Sequence, residues 1–320
     1  MFNADLFKDT GYRLDEPLRS DGWGQLFRAR YLPHDREVLL RAFPQGVMSE
    51  EGAWELLVAE IQAWARLDHP GVLQVLDWGA QGDDGYVATE MPAGRPLVSL
   101  LSEDDGVDSG RDIFANILVS VEAARQWGVL HLGLGPSNIW VSDDLAAQVG
   151  EFGLWYVSRE FPALAAETGE FPAPEQGNGG RASAATDVYS LGVIYIALHF
   201  GSGAARSAAY GSTLPAGLGD LEPVIARCLD PQPLARYRSA GELADALGMS
   251  SSHWLYDEYR DCPLCRLKEE IQGEAAASSW SVPYASGRRP ARTVDWVKYA
   301  WIAIIAMAFA AVLVWWLALR

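Results

Sequence analysis

The chain has 320 residues, 49% of them hydrophobic, which allows one large or two ordinary domains and excludes global disorder. Its formal charge is −17, and residues 249–298 are charge-balanced, so the excess sits in residues 1–248; such a body is a poor match for nucleic acid or anionic lipid. Three cysteines, Cys228, Cys262 and Cys265, are too few for a disulfide framework and suit a reducing compartment.

Residues 1–11 form a short lead, and residues 1–20 hold no apolar run of signal-peptide length, so this end is expected to stay where it is made. In residues 12–248, Glu37–Phe43 reads as a strand and Ser49–Leu67 has helical spacing. Val72–Trp78 and Gly85–Met91 again read as strands. Beyond Arg111 helix dominates, with predicted helices at Ile113–Trp127, Thr186–His199, Leu221–Cys228 and Ala240–Leu247. A β-rich first third followed by helices predicts an α+β body with two lobes. Residues 249–298 are a polar, turn-rich linker.

Residues 299–319 carry no charge. At about 1.5 Å per residue they reach about 32 Å, enough for a bilayer core of about 30 Å. Trp296, Tyr299 and Trp301 flank one end and Trp315 and Trp316 the other, as interfacial belts do. Arg288, Arg289, Arg292 and Lys298 precede the span and place the body in the cytoplasm by the positive-inside rule, at the inner membrane if the source is bacterial. A buried core helix is the competing reading. Ala303, Ala306 and Ala310 share one helix face, which suits either a homodimer or a monomer in which alanine is merely common. Cys262 and Cys265 are half of a tetrahedral zinc site; two chains side by side would complete it, and the alternative is two plain thiols on a turn.

Ordered landmarks give the body a family likeness. His69-Pro70-Gly71-Val72-Leu73, the run Tyr86–Met91, the stretch Gly128–Ile139, Glu151-Phe152-Gly153, Ala173-Pro174-Glu175, Thr186–Val193 and Asp230-Pro231 with Arg236 occur in turn. They resemble the HPNIV turn, the hinge strand, the GIIHRDLKPSNI loop, the DFG and APE motifs, the long buried helix and the late arginine of the eukaryotic-type Ser/Thr protein kinase domain, in its bacterial form. The resemblance covers residues 12–248 and implies a bilobal kinase fold with a β-rich N-lobe and a helical C-lobe.

The same alignment removes most of the chemistry that the resemblance implies. The glycine loop falls on Arg19, Asp21, Gly22 and Gly24, and an aspartate there points like charge at phosphate. The phosphate lysine is Arg41, with Glu60 as its expected partner. The proton-accepting aspartate is Gly133 and the neighbouring lysine is Gly135. Asn138 survives as a metal ligand, while Glu151 replaces the metal-binding aspartate. Leu39 and Trp140 fall on the roof and floor of the adenine pocket and are expected to fill it. His131 is expected to pack under Phe152, and Asp187 to hold the loop backbone. These substitutions predict a membrane-tethered pseudokinase, a scaffold or adaptor for a protein partner that the sequence does not identify, with no catalytic residue and no cofactor. The alternatives are a divergent phosphotransferase working through Asn138, Glu151 and Mg²⁺, and a domain that binds ATP without turnover.

Overall fold

A computed structural model of the chain describes residues 7–43, 47, 50–161, 170–211 and 213–249. The linker, the Cys262/Cys265 pair and the apolar span 299–319 lie outside the described residues. A first compact unit, residues 1–269, contains everything described below; residues 270–320 form a second unit.

The first lobe is built on a five-stranded antiparallel sheet of β1 (Tyr12–Asp21), β2 (Gly24–Tyr31), β3 (Arg36–Ala42), β4 (Val75–Gln81) and β5 (Asp84–Glu90), in the order β1-β2-β3-β5-β4. Strand side chains alternate between faces. Val38, Leu40 and Ala42 accordingly join Tyr12, Phe27 and Tyr86 in one buried layer, which Phe7 covers. Leu39 and Arg41 alternate with them and face the rest of the molecule. On that side lies helix α1 (Ala53–Trp64), which buries Leu57, Ile61 and Trp64.

The sequence patterning finds β3, β5 and α1 to within a few residues. It places the fourth strand too early: Val72 makes only an isolated bridge to Val149, and the ladder begins at Val75. It misses β1 and β2, in which Arg, Asp and Glu interrupt the apolar alternation. The sharp connection between them is dictated locally. Asp21 Oδ1 accepts the Trp23 N–H at 2.9 Å, and Gly24 adopts φ +102°. Gly24 therefore serves the turn, a conformation that side chains disfavour.

The second lobe packs helices α2 (Gly110–Gln126), α3 (Leu154–Glu160), α4 (Pro174–Gly177), α5 (Ala184–Gly211), α6 (Glu222–Cys228) and α7 (Ala240–Ala246). A small sheet joins β6 (Arg95–Pro96), which precedes α2 in sequence, to β7 (Ile139–Val141) and β8 (Ala147–Val149), which follow it. The helix expected at 186–199 runs on to Gly211 through a break at Gly201, where φ is +87°. By length and composition α5 would cross a bilayer, yet most of it is buried inside the body, and α2, α6 and α7 pack against it.

Two buried ion and hydrogen-bond centres fix this lobe. Arg236 makes a bidentate pair with Glu175 at 2.8 Å through both nitrogens, donates to the Ala185 carbonyl, and lies over the Tyr189 ring. Asp187 accepts the N–H groups of His131 and Leu132 at 3.0 and 2.7 Å. Burial pushes the Asp187 carboxyl up to about 6 against those two donors. The pair of bonds holds Leu132 at φ +61°, a conformation costly for leucine and sustained by its surroundings.

Candidate functional site

The cleft between the lobes is lined from above by Leu26, Leu39, Arg41, Val87 and Thr89, and from below by Asn138, Trp140 and Glu151. The antiparallel register explains the upper row. Arg19 of β1 pairs with Leu26 of β2, and Leu26 pairs with Arg41 of β3. One line across the sheet thus carries two arginines on the cleft side with a leucine between them. Asp21 lies two residues beyond Arg19, on the same face.

From below, Glu151 meets this row at φ +65°. Its Oε2 accepts from Arg19 Nη2 at 2.6 Å, and its Oε1 accepts from Arg41 Nε at 2.9 Å and also from Arg41 Nη2. Arg41 Nη1 donates to Asp21 Oδ1 at 2.8 Å, and Arg19 Nε donates to Asp21 Oδ2 at 2.7 Å. Two guanidiniums and two carboxylates close a ring with no net charge. Burial alone would raise the Glu151 carboxyl; Arg41 and Arg19 outweigh it and hold the group at about 2. Arg41 is 2% exposed, and these two carboxylates offset the cost of burying its guanidinium.

The expected pairing of Arg41 with Glu60 is corrected by this geometry. Glu60 lies instead against Gly153, where an added Cβ would come 2.5 Å from its Oε2. Helix α3, which Gly153 caps, packs against α1, and the two carboxylates of the ring engage all three nitrogens of the Arg41 guanidinium. Burial raises the Glu60 carboxyl.

The loop at residues 131–138 is held internally. Asn138 Nδ2 donates to the Gly133 carbonyl at 2.8 Å, and Asn138 Oδ1 accepts the Gly135 N–H at 3.1 Å. Both ends of this amide are thereby used on the loop itself. Gly133 faces open space: an added Cβ would meet nothing closer than Trp155 at 3.8 Å. Gly135 is crowded, with Glu170 at 3.3 Å from the same imagined atom. His131 Nδ1 accepts from the Gly133 N–H at 3.3 Å, so its Nε2 is the donor to the Gly150 carbonyl at 2.9 Å. The His131 and Phe152 rings lie 4.7 Å apart, and Trp64 of α1 continues the stack at 6.4 Å from Phe152. Burial lowers the His131 imidazole to about 4 and keeps it neutral.

Trp140 is 5% exposed and lies in β7, with its backbone paired to Pro96 and Gln148. The cavity left beside Leu39, Thr89 and Trp140 has a volume of about 10 Å³. That is roughly the room one water needs, at about 10–15 Å³. Gly22, placed by sequence in the phosphate loop, is in the β1–β2 turn and makes no described contact to the ring. Among the described residues, no group of three or more His, Cys, Asp and Glu could hold a metal ion.

Three participants are faint or silent in the residue pattern. Arg19 stands at a glycine position of the family's loop, yet its i, i+2 spacing from Asp21 in a strand marks a charge pair on one face. Ser137 acts through its backbone, and Glu170 reaches the loop through the fold; neither leaves a mark in the residue pattern.

A five-stranded first lobe, a helical second lobe and a cleft bounded by a 131–138 loop and a Glu-Phe-Gly turn define a protein of the kinase type. A family model, the protein kinase domain, matches residues 21–210, and the chain belongs to that family. The relatives named here are bacterial. Serine/threonine-protein kinase pkn3 of Myxococcus xanthus is 32% identical over 59% of this chain and 38% of its own length. A probable serine/threonine-protein kinase of Clostridium acetobutylicum is 24% identical over 77% of this chain and 41% of its own length. PknA of Mycobacterium tuberculosis is 27% identical over 88% of this chain and 74% of its length. The chain thus spans about two-fifths of the first two of these relatives. Among solved structures, the Mycobacterium tuberculosis PknI kinase domain superposes with a TM-score of 0.60 at 21% identity, covering 78% of this chain and 99% of that one. At that identity the likeness is one of fold.

Proposed function

We propose that this chain is a kinase-fold scaffold or adaptor that transfers no phosphoryl group, held at a membrane by residues 299–319 and facing a protein partner in the cytoplasm. The observation that carries this reading is the ring of Arg19, Asp21, Arg41 and Glu151. Magnesium nucleotide needs free carboxylate and amide oxygens, a cation for phosphate and a slot for the base. Here the residues do not fit those needs. Both Glu151 oxygens and Asn138 Oδ1 are engaged within the protein, Asp21 faces the phosphate side, and Leu39 and Trp140 leave about 10 Å³. Gly133 supplies no carboxylate to orient a substrate hydroxyl, and Leu132 and Leu134 flank it.

A second reading, that of a divergent Ser/Thr protein kinase, is favoured by the comparisons: the relatives are kinases by name, and that agrees better with phosphoryl transfer than with a scaffold. One assay separates the two. The full chain is incubated with radiolabelled ATP, Mg²⁺ or Mn²⁺ and generic substrates, beside Glu151→Ala and Asn138→Ala. No label is expected in any sample. Label in the parent that both variants abolish would establish the kinase reading instead. A thermal-shift series with ATP, with and without Mg²⁺, tests binding without turnover, since a ligand of the native state alone must raise Tm.

A further inference from the structure

Ser137 lies between two parts of the molecule that are distant in sequence. Its carbonyl accepts a hydrogen bond from Nη1 of Arg19, on the β1–β2 hairpin. Its own N–H donates at 3.3 Å to Oε2 of Glu170, near the end of residues 151–175, the stretch that the family resemblance makes the activation segment. Both bonds end on one residue of the short 3₁₀ turn Pro136–Asn138, which the Asn138 side chain ties to Gly133 and Gly135.

Glu170 is seated with some care. Its carbonyl accepts from the Tyr210 hydroxyl at 3.0 Å, and the next carbonyl, of Phe171, accepts from Ser190 at 3.2 Å. Its side chain occupies the space that a side chain at residue 135 would fill. Gly135 is therefore a seat as well as a lost lysine. Gln176 adds a parallel link, donating to the Leu132 carbonyl at 2.6 Å and accepting from the Ala173 N–H at 2.8 Å. Burial raises the Glu170 carboxyl, while the Ser137 N–H and the Arg19 charge pull it down.

We propose that Ser137 couples the end of the activation segment to the N-lobe hairpin. Glu170 on the Ser137 N–H fixes the carbonyl that Arg19 grips, and Arg19 on that carbonyl fixes the N–H that Glu170 needs. Release of either contact loosens the other, because a coupling between two sites is reciprocal. A partner that lifts Glu170 from the loop thereby frees the hairpin from the second lobe. The coupling is independent of whether the cleft turns over nucleotide.

The test is hydrogen exchange on the full chain in mild detergent, comparing the parent with Glu170→Ala, Arg19→Ala and the double variant. Glu170→Ala is expected to speed exchange in residues 17–28 roughly tenfold or more, the order set by losing a hydrogen bond to a charged group. Arg19→Ala is expected to speed exchange in residues 170–176, and the double variant to exceed neither single effect appreciably. Unchanged protection of α5 in each variant marks the fold as intact. Where Glu170→Ala does not keep that protection, Glu170→Gln, which retains an acceptor oxygen and the shape, carries the comparison with a smaller effect of the same sign. Exchange confined to residues 170–177 in the Glu170 variants, or additive effects in the double variant, would overturn the coupling. Phosphoryl transfer by the same preparation would overturn the scaffold reading and leave the coupling intact.

Discussion

Arg19 Nη2 and Glu151 Oε2 meet at 2.6 Å although 132 residues separate them. The contact joins the first strand of the N-lobe to the turn that follows β8 in the second lobe. Arg41 shares the same carboxylate, and Asp21 shares both arginines. The lobes are thus tied by internal ions at the place where the family's resemblance puts metal and phosphate.

Acid should loosen this tie. Glu151 is held at about 2, below the ordinary value of 4.5, so its contribution is fully present above about pH 4.5 and is lost as pH falls toward 2. Denaturant midpoints measured from pH 6 to pH 2 should fall more steeply for the parent than for Glu151→Gln below pH 4.5. Between about pH 4 and 6 the buried His131, lowered to about 4, loses stability on acidification, while Asp187, raised to about 6, gains it. Those two slopes oppose each other, so the Glu151 difference should stand out only in the lower window. Parallel curves for parent and variant throughout would show that the ring does not bind this carboxylate as described.

Trp140→Ala should remove the floor of the cleft. Truncating a buried tryptophan costs about 3–5 kcal/mol. Urea denaturation gives the number, and a loss under about 1 kcal/mol would mean that the indole contributes little packing there.

On the scaffold reading, Gly133→Asp should fold normally and transfer no phosphoryl group. The nearest atom to an added Cβ is 3.8 Å away, so the side chain fits. A restored carboxylate still leaves Glu151 and Asn138 occupied by protein partners. Tm within a few degrees of the parent and no transfer of label are expected. Appreciable labelling would show that Gly133 was the single missing part.

Arg236→Ala should be the most damaging change in the second lobe. It leaves Glu175 buried without its cation, a loss of about 3–5 kcal/mol for a broken buried pair. Arg236→Lys should recover only part of this, because an ammonium cannot reproduce the two-pronged geometry. Equal stability of the lysine variant and the parent would contradict the bidentate role.

Truncation after Thr293 should yield a body that stays in the supernatant after a high-salt membrane wash. A truncated chain that still pellets would locate the principal anchor elsewhere.

The fold was legible where residue pattern and structure share a period. The alternation of β3 and β5 and the helical spacing of α1 appear in the sequence because each buries one face. The β1–β2 hairpin was not, because its cleft-side positions carry Arg19 and Asp21 where a strand facing a core would carry apolar residues. At the site, the substitutions at Gly133, Gly135 and Glu151 were readable one by one. What replaces the lost contacts was not, since Arg41 can reach Glu60 or Glu151 on spacing alone, and only the packing of α3 against α1 decides between them. Glu170 was out of reach for the same reason: it meets Ser137, 33 residues away in sequence, only through the fold.

Helix α5 has a consequence for the making of this protein. Between Asp187 and Arg206 no residue is charged, and the stretch matches a membrane span in length and mean hydropathy of 1.4. A nascent chain exposes this stretch before residues 299–319 exist. Asp187, at its start, supplies only part of the about 3 kcal/mol by which an aspartate at the centre of a span opposes insertion. After that the safeguard is speed: α2 is already made, and α6, α7 and Arg236 follow within a few dozen residues to cover the helix. Slow closure of the second lobe would therefore leave exposed an apolar segment of span length that the finished fold buries.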